Sequence, residues 1–115
     1  MAVSHGTTVS SLYHEPAVHV SDIHWDTQHH TIMIGRATIG LTATEYRLLF
    51  PLRHGTAVTY ADLVWMAYQY QLDEKVRVMI DKHIDRIRGK LRGSGLYIYC
   101  VVGYGYLLFP ELPFD

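Results

Sequence analysis

Cysteine is almost missing from this chain: Cys100 stands alone. One thiol cannot close an internal disulfide or found a cysteine zinc site, so packing must hold the fold. No apolar run approaches the roughly 20 residues that a membrane-spanning helix needs. The first residues carry no basic segment followed by an apolar stretch, so no secretory signal is read. A cytoplasmic protein is the expectation. The signatures of catalysis are also missing. There is no glycine-rich phosphate loop, no serine in a nucleophile elbow and no carboxylate pair with an evident pocket. Neither an enzyme nor a cofactor is expected.

What is present is an ordinary globular composition, 49% hydrophobic and 18% charged over 115 residues. That suffices for one core and excludes general disorder. Residues 1–16 are polar up to Pro16 and read as a flexible leader; residues 17–110 read as the domain and 111–115 as a tail.

The net charge of −1 conceals a strong separation of sign. Residues 75–92 hold seven of the ten bases and only two acids, Asp81 and Asp85, for a local charge of +5. The remainder, with three bases and nine acids, carries −6. Such separation suits a polyanionic partner, although a solvated charged helix face would also produce it.

Hydrophobic periodicity divides the chain. Val18/Val20, Ile23/Trp25, Ile32/Ile34 and Ala37/Ile39 alternate, with turns at Asp26–Gln28 and Gly35–Arg36, which predicts up to four short antiparallel strands. Thr42-Ala43-Thr44-Glu45 is a capping box that opens a helix carrying Tyr46, Leu49 and Phe50, with a kink or early end expected at Pro51. A second helix fits Thr59 to about Tyr70, capped by Thr59, with Leu63, Met66 and Ala67 inward. The third is the clearest: Val76, Ile80, Ile84, Ile87 and Leu91 recur at steps of three and four, while Lys75, Lys82, Arg86 and Lys90 fall on another face. Asp73-Glu74 favour its N-terminus through the helix dipole. After Gly93-Ser94-Gly95, Leu96–Val102 and Tyr104–Phe109 form a hairpin turning at Gly103–Gly105. Three helices followed by a hairpin make a winged helix-turn-helix, whose last helix can enter a major groove.

The segments Leu41–Leu49, Ile80–Leu91 and Val101-Val102-Gly103-Tyr104-Gly105-Tyr106-Leu107, in that order, resemble the C-terminal effector domain of OmpR/PhoB-type response regulators over roughly residues 18–109. The resemblance implies an α+β winged helix-turn-helix with an N-terminal four-stranded antiparallel sheet, three helices and a C-terminal β-hairpin wing. It further implies a sequence-specific, double-stranded-DNA-binding transcriptional regulator with helix three in the major groove. Carried over by position, His83, Arg86 and Arg88 match positions that such domains use on DNA. Arg86 and His83 are expected toward base edges and Lys82, Arg88, Lys90 and Arg92 toward phosphates; Lys75 and Arg77 complete the expected DNA-binding set, with Tyr104 in the wing. The loop between helices two and three would meet RNA polymerase, and tandem or homodimeric binding on DNA is common among such domains. Three positions depart from the pattern: Val78, Asp85 and Val102 stand where a base is frequent, and Lys82 stands where an apolar residue is usual. The family's receiver domain is not read in these residues, which leaves two alternatives: a stand-alone effector domain, switched by abundance, a partner or a ligand rather than by phosphorylation, or a piece of a longer protein. The rival reading is a winged-helix protein-interaction module docking on RNA polymerase, a sigma factor or another regulator.

The remaining features have simpler readings. His19, His24, His29 and His30 read as exposed strand and turn residues rather than metal ligands. The six tyrosines at 68, 70, 97, 99, 104 and 106 read as packing for wing and helices, with a stacking platform for single strands as the alternative. Trp65 is either core or a protein-contact anchor. Cys100 reads as a small packed side chain with no adjacent base to activate it.

Overall fold

The computed structural model describes residues 18–113, so the leader expected over residues 1–16 lies outside the described part. A short 3-10 turn, Val20–Asp22, precedes three strands, β1 (His24–Asp26), β2 (Thr31–Ile34) and β3 (Ala37–Gly40), which form an antiparallel meander. Helix α1 (Ala43–Leu49) leads into a 3-10 turn at Phe50–Leu52 and then strand β4 (Val58–Thr59). Helices α2 (Tyr60–Tyr68) and α3 (Glu74–Lys90) follow, then the hairpin β5 (Leu96–Val101) and β6 (Gly105–Pro110). A second antiparallel sheet runs in the order β4-β6-β5.

The expected four-stranded N-terminal sheet is therefore a three-stranded one. Val18 and Val20 do not continue it because the Asp22 carboxylate accepts from the His19 amide at 2.8 Å. That side chain closes a tight turn in place of a ladder, a common effect of aspartate beside backbone donors. A strand the sequence did not lead us to expect, β4, pairs with the wing, Val58 opposite Tyr106 and Thr59 opposite Gly105.

Capping chemistry sets the helix starts. The Thr42 hydroxyl accepts from the Glu45 amide at 3.1 Å and Glu45 accepts from the Thr42 amide at 2.9 Å, closing the capping box. Thr59 caps α2 through the Asp62 amide, and Asp73 caps α3 through the Val76 amide. Pro51 ends α1 early, as its missing amide requires, and the 3-10 turn then drives Leu52 into the core. Helix α2 stops two residues short of Tyr70, where Gln69 takes a left-handed conformation (φ 60°) and donates to the Trp65 carbonyl. The inward residues of α2 are Tyr60, Leu63, Val64 and Ala67; Met66 faces solvent, contrary to the expectation, because Val64 occupies the inward position beside Leu63.

The core joins both sheets to the three helices. Ile32 and Ile34 from β2, Leu48 and Leu49 from α1, Ile80, Ile84 and Ile87 from α3, and Ile98 and Leu108 from the hairpin are all buried in one cluster. Trp25 packs edge-on against Tyr46 and Phe50, which ties the N-terminal meander to α1. No helix among the described residues is long and apolar enough to cross a membrane.

Candidate nucleic-acid interface

Helix α3 presents four different sides, and its neighbours decide what each can do. Ile80, Ile84, Ile87 and Leu91 form the buried side. On one flank it meets the wing: the Tyr106 hydroxyl donates to Asp81, and the Arg77 Nε donates to the same carboxylate at 3.4 Å. The Arg77 guanidinium also lies 3.5 Å above the Tyr60 ring. Burial, reinforced by the Asp81 carboxylate, pushes the Tyr106 hydroxyl well above the ordinary tyrosine range, so it remains a proton donor. Arg88 belongs to this side too. Only 22% exposed, its Nη1 pairs with Asp85 at 2.9 Å and its Nε donates to the Ile98 carbonyl of β5 at 2.9 Å.

The opposite flank meets α1. Lys90 donates through Nζ to Glu45 at 2.6 Å. Glu45 is 3% exposed. Burial pushes its carboxyl upward, but the Lys90 ammonium and the Thr42 backbone bond outweigh that and hold it below the usual glutamate value.

The fourth side faces solvent and carries Lys75, Val78, Lys82, Arg86 and Gly89, at steps of three, four, four and three. Lys75, Lys82 and Arg86 have no ion-pair partner among the described residues. Arg92, just beyond the helix, is exposed and equally unpaired there. His83 is half-buried, and its Nδ1 is buried without a partner among the described residues. The structure thus separates the sequence's basic set. It gathers Lys75, Lys82 and Arg86 on one open face, and it commits Arg77, Arg88 and Lys90 to internal contacts. The positional signal for that commitment, Asp81 and Asp85 inside a basic helix, was present in the sequence; the Glu45 partner was not recognisable there.

The wing is a tight hairpin. Gly103 adopts φ 73°, which an L side chain resists, and lets the Tyr104 amide reach the Val101 carbonyl at 2.9 Å. Gly105 serves a different need: a Cβ there would fall 1.7 Å from the Val58 carbonyl oxygen, so only glycine lets β6 pair so closely with β4. The Tyr60 amide donates to the Tyr104 carbonyl at 2.9 Å, which pins the wing to the start of α2. Val102 at the tip is 92% exposed, and Tyr104 is exposed beside it. Cys100 is exposed rather than packed, and its Sγ lies 3.3 Å from the Tyr60 hydroxyl. Trp65 is exposed as well, at 58%. Among the described residues, no three His, Cys, Asp or Glu side chains converge as a metal site would require.

A helix with an open basic face, seated on two others and flanked by an anchored β-hairpin, defines a winged helix-turn-helix protein. The family follows from comparison: residues 35–108 match the profile of the transcriptional regulatory protein C-terminal domain, and the chain belongs to that family, the OmpR/PhoB-type effector domains. That family is a DNA-binding regulator class and not an enzyme class. No curated protein sequence matches the chain significantly. Among solved structures, it is similar to the DNA-binding domain of CpxR from E. coli, at 24% identity and TM-score 0.65, covering 79% of this chain and 93% of that one. It is also similar to the Klebsiella pneumoniae RstA DNA-binding domain in complex with the RstA box, at 23% identity and TM-score 0.65, covering 78% of this chain and 93% of the other. A third similarity is to the AdeR DNA-binding domain in complex with an intercistronic region, at 24% identity and TM-score 0.60, covering 78% and 95%. At these identities the likeness establishes the fold.

Proposed function

We propose that this protein is a sequence-specific reader of duplex DNA that regulates transcription, with α3 in the major groove and the tip Val102–Tyr104 beside the neighbouring groove or backbone. The observation that carries this reading is the solvent face of α3, where Lys75, Lys82 and Arg86 stand unpaired among the described residues, directly opposite the buried isoleucines. Unpaired cations are available to displace counterions from phosphates, whereas cations already paired inside the protein contribute little. Arg86 and Lys82 serve base edges and phosphates, Lys75 and Arg92 serve phosphates, and His83 lines one margin. Arg77, Arg88 and Lys90 act indirectly, by holding α3 against wing and α1. The complexes formed by the AdeR domain with an intercistronic region and by the RstA domain with the RstA box support this reading.

The test is selection and sequencing of duplexes bound from a random pool near physiological salt, with wild type beside the Lys82→Ala/Arg86→Ala variant. An enriched motif lost in the variant is the expected result. No enrichment, or equal enrichment in both proteins, would overturn the reading. Arg88 is left intact because its removal would disturb the wing.

A second reading concerns protein contact. Trp65 and Met66 on α2, with Tyr70 and Leu72 in the loop that follows, are all exposed and apolar. They suit a surface that meets RNA polymerase while α3 is on DNA. A Trp65→Ala/Tyr70→Ala variant that keeps DNA affinity but loses activated transcription in a purified system would support it; unchanged transcription would remove it.

A further inference from the structure

The solvent face of α3 contains one residue that electrostatics does not explain. Val78 is 55% exposed, on the same face as Lys75 three residues before it and Lys82 four residues after it. Its neighbours Val76 and Ile80 turn toward the core, so Val78 is not a displaced core residue. An exposed valine between two cations that are unpaired among the described residues contributes nothing to the hydrophobic cluster and cannot donate or accept a hydrogen bond. A β-branched side chain in a helix is held essentially in one rotamer, so it presents its methyls in a fixed direction and loses little freedom on contact.

We infer that Val78 is a specificity-determining residue that packs on the C5-methyl group of a thymine, giving the protein a required A·T pair within its site. The inference rests on the reading of α3 as a groove-entering helix. Among the groups that base edges present in the major groove of unmodified DNA, the thymine methyl is the apolar one; the others are hydrogen-bond donors and acceptors. An apolar side chain at the groove floor therefore favours thymine by burying a methyl that no other unmodified base carries. The flanking Lys75 and Lys82 steer the face onto DNA, and Val78 supplies discrimination that their charges cannot. Gly89, further along the same face, has open space around its missing Cβ and leaves the helix surface low there.

The experiment starts from the motif enriched by wild-type protein and replaces each thymine in turn by deoxyuridine, which differs only by the lost methyl. One position is expected to weaken wild-type binding about fourfold, the value of burying one methyl-sized group. The Val78→Ala variant should bind thymine and deoxyuridine duplexes equally at that position, while Val78→Thr, which retains one methyl, should keep part of the difference. A motif in which no deoxyuridine matters, or one whose sensitive position stays equally sensitive in Val78→Ala, would overturn this inference while sequence-specific binding stands. Failure to enrich any motif would overturn both.

Discussion

Lys90 reaches across from the last turn of α3 to donate to Glu45 in the first turn of α1, at 2.6 Å, with the glutamate almost completely buried. The same glutamate closes the capping box with Thr42. One carboxylate thus serves a helix start and a contact between helices 45 residues apart. Lysine is the partner that makes a buried negative charge tolerable, and it does so with a side chain that is still more than a third exposed.

Replacing Lys90 by Met should cost stability first. Leaving Glu45 buried with only its Thr42 contacts is expected to lower unfolding free energy by about 1–3 kcal/mol, discounted for solvent access to the lysine. Chemical denaturation measures this, and the Glu45→Gln/Lys90→Met pair should recover part of the loss. Lys82→Ala, by contrast, should leave stability within about 0.5 kcal/mol and reduce the salt dependence of DNA binding by about one phosphate. Equal stability losses in the two single variants would refute this division of roles.

Acid should weaken the protein through the same contact. The Glu45 carboxyl lies below its unfolded value in the native state, so over the interval between the two values the unfolded chain binds more protons. Stability there rises with pH. The contribution is complete above the unfolded carboxylate value and is lost as pH falls through the folded one. Denaturation midpoints followed downward from about pH 6, well above the ordinary glutamate value, should fall less steeply in Glu45→Gln than in wild type.

Three glycines should respond to alanine in three ways. Gly105→Ala drives a Cβ into the Val58 carbonyl and is expected to cost about 2–4 kcal/mol by breaking the β4–β6 pairing. Gly103→Ala meets no atom but must hold φ 73°, at about 1–2 kcal/mol. Gly89→Ala lies in a helix with open space around it and should gain about 0.5–1 kcal/mol. Thermal unfolding of the three variants tests the order, and a stabilised Gly105→Ala would show that the close strand approach is not required.

The two arginines two residues apart on α3 should behave as different kinds of residue. Arg86→Ala is expected to preserve the melting temperature and weaken binding to the selected motif by about 1–3 kcal/mol. Arg88→Ala removes the Asp85 pair and the bond to the Ile98 carbonyl, and should lower the melting temperature, with the hairpin amides exchanging faster. Arg88→Ala at wild-type stability would place Arg88 among the free cations after all.

Much of this protein was determined locally and was readable from the chain alone. The Thr42–Glu45 box, the stripe Ile80, Ile84, Ile87 and Leu91, the early end at Pro51 and the turn at Gly103 each depend on residues within a few positions of one another. Local sterics, capping and helical periodicity act at that range. The three-helix-and-wing order followed from those elements, and so did the family resemblance. What only the tertiary structure decided depends on partners far apart in sequence. Asp22 turned an expected strand into a 3-10 turn over a short span, but β4 found its place because the wing lies beside it. Met66 lost its inward place to Val64, which is buried beside Leu63. Above all, the seven bases of residues 75–92 looked equivalent as charges. Folding brings Glu45 to Lys90, and β5 and the wing to Arg88, Asp81 and Arg77, so these cations gain partners within the protein. Lys75, Lys82 and Arg86 face away from every packed element and have no ion-pair partner among the described residues.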